Sequence, residues 1–315
     1  MRSALRRVSH FPEKVLGDFF FVKRVDLMAK ADIGRRIGPV TRTGRPAAPA
    51  RRRSWVWARR GSAGREAVYA LLSVLFCSIL VYLLWEAACL AQVLPQIVLP
   101  TPLQVLQTLR TELATGDLQA NMIVTLKESL GGFLLAAVIA GACGYLIAHA
   151  RPLELLVAPF VAASQGVPAV AIAPIVILLL GSGLWPKVVI CAAVVLFPLL
   201  VTTVTGLRGI GQDYRDVAHV FGASRLQMLR YVEIPLAAPV LLSGLKLGLT
   251  LSITGAVVAE FVAADAGLGF MLNTAINTFE VSTRYVALLT LAVLSASMFG
   301  AITLLERIVQ QWQEE

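Results

Sequence analysis

The chain has 315 residues, of which 57% are hydrophobic and only 15% are charged, and its mean hydropathy is +0.75. These values exclude an ordinary soluble domain. Several apolar runs reach the roughly 20 residues that cross about 30 Å of hydrocarbon as a helix. The expected fold class is an all-α polytopic membrane protein with about six transmembrane helices.

The net charge of +9 is concentrated ahead of the apolar runs. Residues 1–65 hold 17 Lys or Arg against 4 Asp or Glu, whereas the remainder holds 11 against 15. This segment is rich in Pro, Ala and Arg, which is typical of a disordered tail. It contains neither a signal peptide's apolar region nor a motif typical of nucleic-acid binding. Two interpretations stay open: a basic cytoplasmic tail, or an over-long reading frame whose true start is nearer Met28.

A membrane domain is expected over residues 66–315. Six spans are predicted within it, at 67–93, 123–148, 153–180, 185–207, 239–259 and 285–305. A short amphipathic helix beginning at Pro102 should lie at the membrane surface between the first two spans. Gly166, Pro168 and Pro174 interrupt the third span, so we expect that helix to kink or break.

Two spans carry a small residue at every fourth position. Such stripes let membrane helices pack closely together. The stripes are Gly132, Ala136, Ala140 and Gly144 in the second span, and Gly244, Gly248, Ser252 and Ala256 in the fifth.

A polar segment at 208–235 separates the fourth and fifth spans. Asp213 and Asp216 favour the start of a short helix, and Gly222 supplies a turn. Ser224 followed by Gln227 forms a capping box that begins a second helix at Arg225. Pro235 is expected to end that helix. One side of the segment is apolar and the other basic, which suits docking into a soluble partner; the apolar residues are Val220, Phe221, Leu226 and Leu229.

The polar segment resembles the cytoplasmic EAA loop of binding-protein-dependent ABC importer permeases. That pattern is Glu-Ala-Ala, then Gly four residues later, and then Ile-x-Leu-Pro. Here "DVA" at 216–218 occupies the first places, Gly222 fits, and "VEIP" at 232–235 fits the ending. The stretches "LPTPLQVL", "GVPAVAIAPIVILLLGSG" and "VVAEFVAADAGLGFML" also resemble permeases of the nitrate/sulfonate/taurine type, whose relatives include thiamine-precursor and riboflavin permeases. The resemblance covers about residues 67–307.

The resemblance implies the ABC type I importer permease arrangement, with a coupling helix that docks on an ATPase. The residues that the resemblance assigns to ATPase coupling are Asp216, Ala218, Gly222, Ala223, Ser224, Arg225, Leu226, Val232 and Pro235. The implied partners are cytoplasmic ABC ATPase subunits, a second permease subunit in a homodimer, and a periplasmic or lipid-anchored solute-binding protein. The implied location is the bacterial plasma membrane.

Basic loops favour the cytoplasmic side of a membrane. With residues 1–65 inside, six spans place both termini and the polar segment in the cytoplasm. The chain has no G-x-x-x-x-G-K-[ST] motif that would bind ATP phosphates. ATP and Mg²⁺ are therefore expected on the partner ATPase, and no cofactor is expected in this chain.

Candidates for the translocation path follow from two features. Broken helices often mark transporter binding sites. A carboxylate within a span is also a functional candidate, and Glu260 lies at the end of the fifth predicted span. The alternative for Glu260 is an interfacial residue that pairs locally. Lys127 and Glu128 are expected at the membrane interface, and Lys246 is expected to extend towards the cytoplasm. The path candidates are Ser164, Gln165, Gly166, Pro168, Glu260 and Asn273.

Two other classes of protein compete with a permease as the interpretation of this sequence. An ion-coupled secondary transporter or channel is the alternative, because broken helices suit it as well. An enzyme is not favoured, since the three His residues are far apart and no hydrolase or metalloprotease motif is present. The four Cys residues do not have metal-ligand spacing. The substrate stays open between a thiamine-precursor or riboflavin-like solute, which "GVPAVAIAP" favours, and nitrate, sulfonate or taurine.

Overall fold

The computed structural model describes residues 63–93, 95 and 97–314, and within these ranges every regular element is helical. The all-α fold class is confirmed. The predicted basic tail lies outside the described residues except for positions 63–65. The described residues divide into two compact units: residues 212–232 belong with residues 63–77, and residues 78–211 belong with 233–314.

The helices follow one another with short connections. In chain order they are α1 (Ala63–Leu90), α2 (Pro102–Thr115), α3 (Asp117–His149), α4 (Arg151–Gly166), α5 (Ala169–Leu180), α6 (Leu184–Arg208), α7 (Gln212–Val220), α8 (Arg225–Met228), α9 (Ile234–Val262), α10 (Leu268–Asn277) and α11 (Val281–Glu314). A π-helical turn, Leu229–Glu233, connects α8 to α9.

Four stretches of the described chain are long and apolar enough to cross a membrane: Asp117–His149, Leu184–Arg208, Arg225–Val262 and Val281–Glu306. The bent pair α4–α5 makes a fifth if it is counted as one broken span. Within the described residues the count is therefore four or five, and the total of about six stays a prediction. Where the first span was predicted, α1 contributes the shorter apolar stretch Leu75–Leu90.

The predicted break in the third span is confirmed. Helices α4 and α5 meet at an angle of 101°. Val167 has an extended backbone, as expected for a residue that precedes proline, and Pro168 follows it without an N–H to continue the helix. Pro174, by contrast, lies inside α5 without ending it.

Helix α6 forms the centre of the larger unit and packs most extensively against α3 and α9. The small-residue stripes lie at these contacts. A Cβ atom added at Gly132 would lie 2.2 Å from Cβ of Cys191, and one at Gly244 would lie 2.3 Å from Oγ1 of Thr202. Glycine at these two positions allows the helix backbones to approach, as the sequence predicted.

The fifth predicted span begins earlier than expected. Helix α9 starts at Ile234 instead of 239, and Pro235 lies in its first turn. The π-helical turn leads directly into α9, so Arg225–Val262 is one continuous helical stretch that runs on past Pro235. The expectation that Pro235 ends a helix is therefore wrong.

Candidate functional site

The predicted coupling segment folds as two short helices around a tight turn. Gly222 has a φ of +75°, which glycine adopts without strain. Its N–H donates to the carbonyl of His219 over 2.9 Å, and the N–H of Ala223 donates to the carbonyl of Ala218 over 3.1 Å. These bonds satisfy carbonyl groups at the end of α7. The turn thus has the form predicted from the sequence.

The second helix starts at a complete capping box. The N–H of Gln227 donates to Oγ of Ser224 over 3.3 Å, and the N–H of Ser224 donates to Oε1 of Gln227 over 2.9 Å. Both groups would otherwise lack a helical partner. Helix α8 therefore begins at Arg225, where the sequence predicted its start.

A small apolar cluster holds α7 and α8 together. Ala218, Met228 and Val232 are buried in it, with Ala223 packed alongside. The two most exposed apolar side chains of the segment are Val220, at 84%, and Leu226, at 72%. Among the other predicted coupling residues, Asp216, Gly222, Ser224 and Arg225 are exposed, while Pro235 lies beyond the two short helices, in α9.

The path candidates occupy two different surroundings. Gly166 and Pro168 are exposed at the α4–α5 bend, and Oγ of Ser164 donates within its own helix to the carbonyl of Val161. The side chain of Gln165 lies outside the described residues. Glu260, in contrast, is buried near the end of α9. Nδ2 of the half-buried Asn273 donates to the carbonyl of Phe261 over 3.4 Å.

Glu260 is only 1% exposed, and the N-terminus of α10 encloses its carboxyl group. Oε1 accepts a hydrogen bond from Oγ1 of Thr125 over 2.7 Å, and Oε2 accepts one from the N–H of Gly269. A Cβ atom at Gly267 would lie 2.2 Å from the carboxyl carbon. The Gly-Leu-Gly sequence at 267–269 therefore leaves just enough space for a carboxyl group beside its N–H groups.

A buried ion pair lies next to Glu260. Nζ of Lys187, in α6, donates to Oε1 of Glu128, in α3, over 2.8 Å. Glu128 is 1% exposed, so it is not the interfacial residue that was expected. Thr125, which bonds Glu260, lies three residues before Glu128 in the same helix. We call Glu128, Lys187, Glu260 and Thr125 the buried polar network.

A cleft of about 460 Å³ opens beside the network. Its charged lining residues are Lys127, Glu128, Lys187 and Asp265, and the chain between α5 and α6 forms one wall. The volume lies within the range of about 300–1,000 Å³ that is common for small-molecule sites. The cleft therefore joins the solvent-exposed surface to a buried pair of opposite charges.

Sequence reasoning missed Glu128 and Lys187 as a pair. The available signal was one acid and one base near the starts of two predicted spans, since intramembrane charges generally have partners. Lys246 was also misjudged: it pairs with Glu306 of α11 instead of extending to water. Two further pairs tie helix ends together, Arg208 with Glu154 and His149 with Glu233.

The helical fold, the broken apolar pair and the buried charges define a polytopic membrane protein. Residues 121–311 match the family described as binding-protein-dependent transport system inner membrane components. The match covers more than half of the chain, and the chain therefore belongs to this family, the membrane permeases of ABC importers.

Several curated proteins are similar over most of their length. The riboflavin transport system permease RibX of Chloroflexus aurantiacus is 42% identical over 74% of this chain and 87% of its own. The formylaminopyrimidine transport permease ThiX of Halalkalibacterium halodurans is 28% identical over 78% and 98%. The taurine transport system permease TauC of Escherichia coli is 28% identical over 78% and 90%.

The fold is also found among solved structures. An inward-facing MetNI methionine ABC transporter matches with a TM-score of 0.53 and 18% identity, over 60% of this chain and 94% of the other. The expected permease fold and importer class are thus confirmed. Membership of the family implies an ATPase and a solute-binding protein as partners, and a place in the inner membrane.

Proposed function

We propose that two copies of this chain form the membrane path of an importer, and that residues 212–232 couple each copy to a cytoplasmic ABC ATPase. ATP and Mg²⁺ bind to the ATPase, and ATP hydrolysis there drives the change between inward- and outward-facing packings. Both chain termini lie in the cytoplasm. The solute is a riboflavin-like or thiamine-precursor-like compound, with riboflavin favoured by the 42% identity to RibX.

The observation that carries the docking proposal is the high exposure of Val220 and Leu226 on a segment that also carries exposed charged residues. The fold of this segment rests on its own small core, so these two side chains are not needed to hold it together. Exposed apolar side chains that lie together on one side of a folded element favour a contact surface. A groove on an ATPase subunit would remove both from water.

Co-purification with the ATPase encoded beside this chain tests the docking proposal. In the double variant Val220→Glu/Leu226→Glu, the amount of ATPase that co-purifies should fall by about tenfold or more relative to the wild type, because two anchoring apolar groups become charged. Gln212→Glu is the matched control, since it adds a charge to the exposed start of the same segment without removing apolar surface. It should retain the ATPase as the wild type does.

Either of two results would contradict the proposal. Equal ATPase retention by the double variant would show that these side chains do not form the contact. If the wild-type chain retains no ATPase at all and uptake collapses on addition of a protonophore, an ion-coupled transporter becomes the better account.

A further inference from the structure

A buried ion pair directly follows the coupling segment, residues 212–232, in the chain. Glu233 ends the π-helical turn that leads from α8 into α9, and it is fully buried. Its Oε1 lies 2.9 Å from Nε2 of His149, the last residue of α3. Nδ1 of His149 lies 2.8 Å from the carbonyl oxygen of Tyr145. Because a carbonyl oxygen only accepts hydrogen bonds, Nδ1 carries the hydrogen, and the ring is held between Tyr145 and Glu233.

The chain that leads into the coupling segment is fastened to the same turn of α3. Arg208 is the last residue of α6. Its Nη2 donates to the carbonyl of Ile147 over 3.0 Å, and its Nη1 pairs with Glu154 of α4. Basic side chains bind the last carbonyl groups of a helix well, because these groups have no donor further along the helix. Both ends of the coupling segment are thus bound within residues 147–149.

An apolar cluster accompanies these two attachments. Leu207, Ile210 and Ala237 are buried in it, and Tyr145 and Ala148 of α3 pack against them. The first two precede the coupling segment and Ala237 follows it. All of these residues belong to the larger unit. Packed side chains and paired charges carry energetic coupling between the elements that they join.

We infer that movement of the coupling segment enters α3 at its last turn, residues 145–149, and that Arg208, His149 and Glu233 are the positioning residues that transmit it. We call their contacts the α3 anchor. The inference rests on the proposed docking of an ATPase to the coupling segment, and it adds the side chains through which that docking acts on the membrane helices.

The α3 anchor adds a second helix to the route through α9. Arg225–Val262 is one continuous helical stretch, so movement of α8 passes into α9 along the backbone. Helix α3 is distant from the coupling segment in sequence, and the side chains of the anchor supply the connection. The first half of α3 carries Thr125 and Glu128 of the buried polar network. An ATPase on the coupling segment would therefore act, through α3, on the cleft beside that network.

Hydrogen exchange of the full-length chain in detergent, with and without the bound ATPase, tests the inference. Docking should slow exchange in residues 212–232. In the wild type the slowing should extend to residues 145–149, by about fivefold or more. In the double variant Arg208→Met/Glu233→Leu, residues 212–232 should still be protected, because the docking side chains are unchanged. Exchange in residues 145–149 of this variant should no longer respond to the ATPase.

Three single variants separate coupling from stability. Arg208→Met changes a partly exposed side chain, should show a smaller loss of the same response, and gives the answer if the double variant does not fold. Glu233→Gln keeps an oxygen that accepts from His149, so the response should remain. Lys246→Met is the matched control: it removes a different interhelical ion pair, with Glu306, and should lower stability without changing the response.

Two results would overturn the inference while leaving the docking proposal intact. In the first, the ATPase protects residues 212–232 of the wild type but has no effect on residues 145–149. In the second, residues 145–149 are protected equally in the wild type and in the double variant, which would show that the α3 anchor is not the route. A wild-type chain that retains no ATPase would contradict the docking proposal and the inference together.

Discussion

At the scale of single residues, Glu112 is an acidic side chain in acidic surroundings. It lies near the end of α2, close to Asp117 at the start of α3 and to Glu280 between α10 and α11. Burial and then the two negative neighbours raise the pKa of the Glu112 carboxyl above its ordinary value. The folded chain thus binds this proton more tightly than the unfolded chain does.

Glu112→Gln should accordingly stabilise the protein at neutral pH, where the wild-type carboxylate is ionised and repelled. A carboxyl group whose pKa is raised on folding stabilises the protein while it is protonated. This stabilisation is lost as the pH rises through the raised pKa, so the ionised Glu112 lowers the free energy of unfolding at higher pH. Unfolding temperatures of the two proteins should converge as the pH falls below the ordinary Glu pKa of about 4.3. A constant difference across the whole pH range would contradict this explanation.

Local signals in the sequence were sufficient where a residue acts on its neighbours along the chain. The Ser224–Gln227 capping box and the turn at Gly222 depend on contacts a few residues apart, and both were predicted. Glu128 and Lys187 lie 59 positions apart. Their pairing depends on how α3 rotates against α6, which no local spacing specifies. Sequence position alone therefore predicts an interfacial Glu128.

At the scale of elements, glycine decides how closely the helices pack. In α3, Gly132 is pressed against α6, whereas a Cβ atom at Gly141 would meet nothing within 4 Å. The two positions share one helix and one residue type, but only Gly132 is required by packing within the chain.

Gly132→Ala should destabilise the chain by about 1–3 kcal/mol, because the added methyl group forces α3 away from α6. Gly141→Ala is the matched control and should leave stability unchanged or raise it slightly, since Ala favours a helix by about 1 kcal/mol over Gly. Thermal unfolding in detergent measures both. Equal effects of the two substitutions would show that the close approach at Gly132 is not needed.

The prolines show which element boundaries a sequence can define. Pro168 breaks the third span, but Pro174 lies within α5 and Pro235 within the first turn of α9. None of the three prolines has a backbone N–H group. The effect of each proline therefore depends on whether the helix requires a hydrogen bond from that N–H group at that position. The sequence therefore indicates that a proline matters without stating whether it begins, bends or ends a helix.

At the scale of the whole molecule, the main question is which of the relatives' substrates this chain transports. Riboflavin uptake by the complete transporter, expressed in cells that cannot make riboflavin, should support growth and exceed taurine uptake at equal concentration. The expectation rests on the higher identity to RibX than to TauC. Taurine uptake with no riboflavin uptake would assign the chain to the sulfonate group of the family.

The bend between α4 and α5 has a consequence for biosynthesis. Helix α5 packs against α6 and α9, and both are made after it. While the chain is being synthesised, the bent pair emerges before α6 and α9 exist, and α3 is the helix already made that α4 contacts. An interrupted backbone within lipid needs neighbouring helices or a water-lined cavity around it. We therefore expect the pair to reach its final packing only after α9, which ends at Val262, has been made, so that a later part of the chain is needed to place an earlier one.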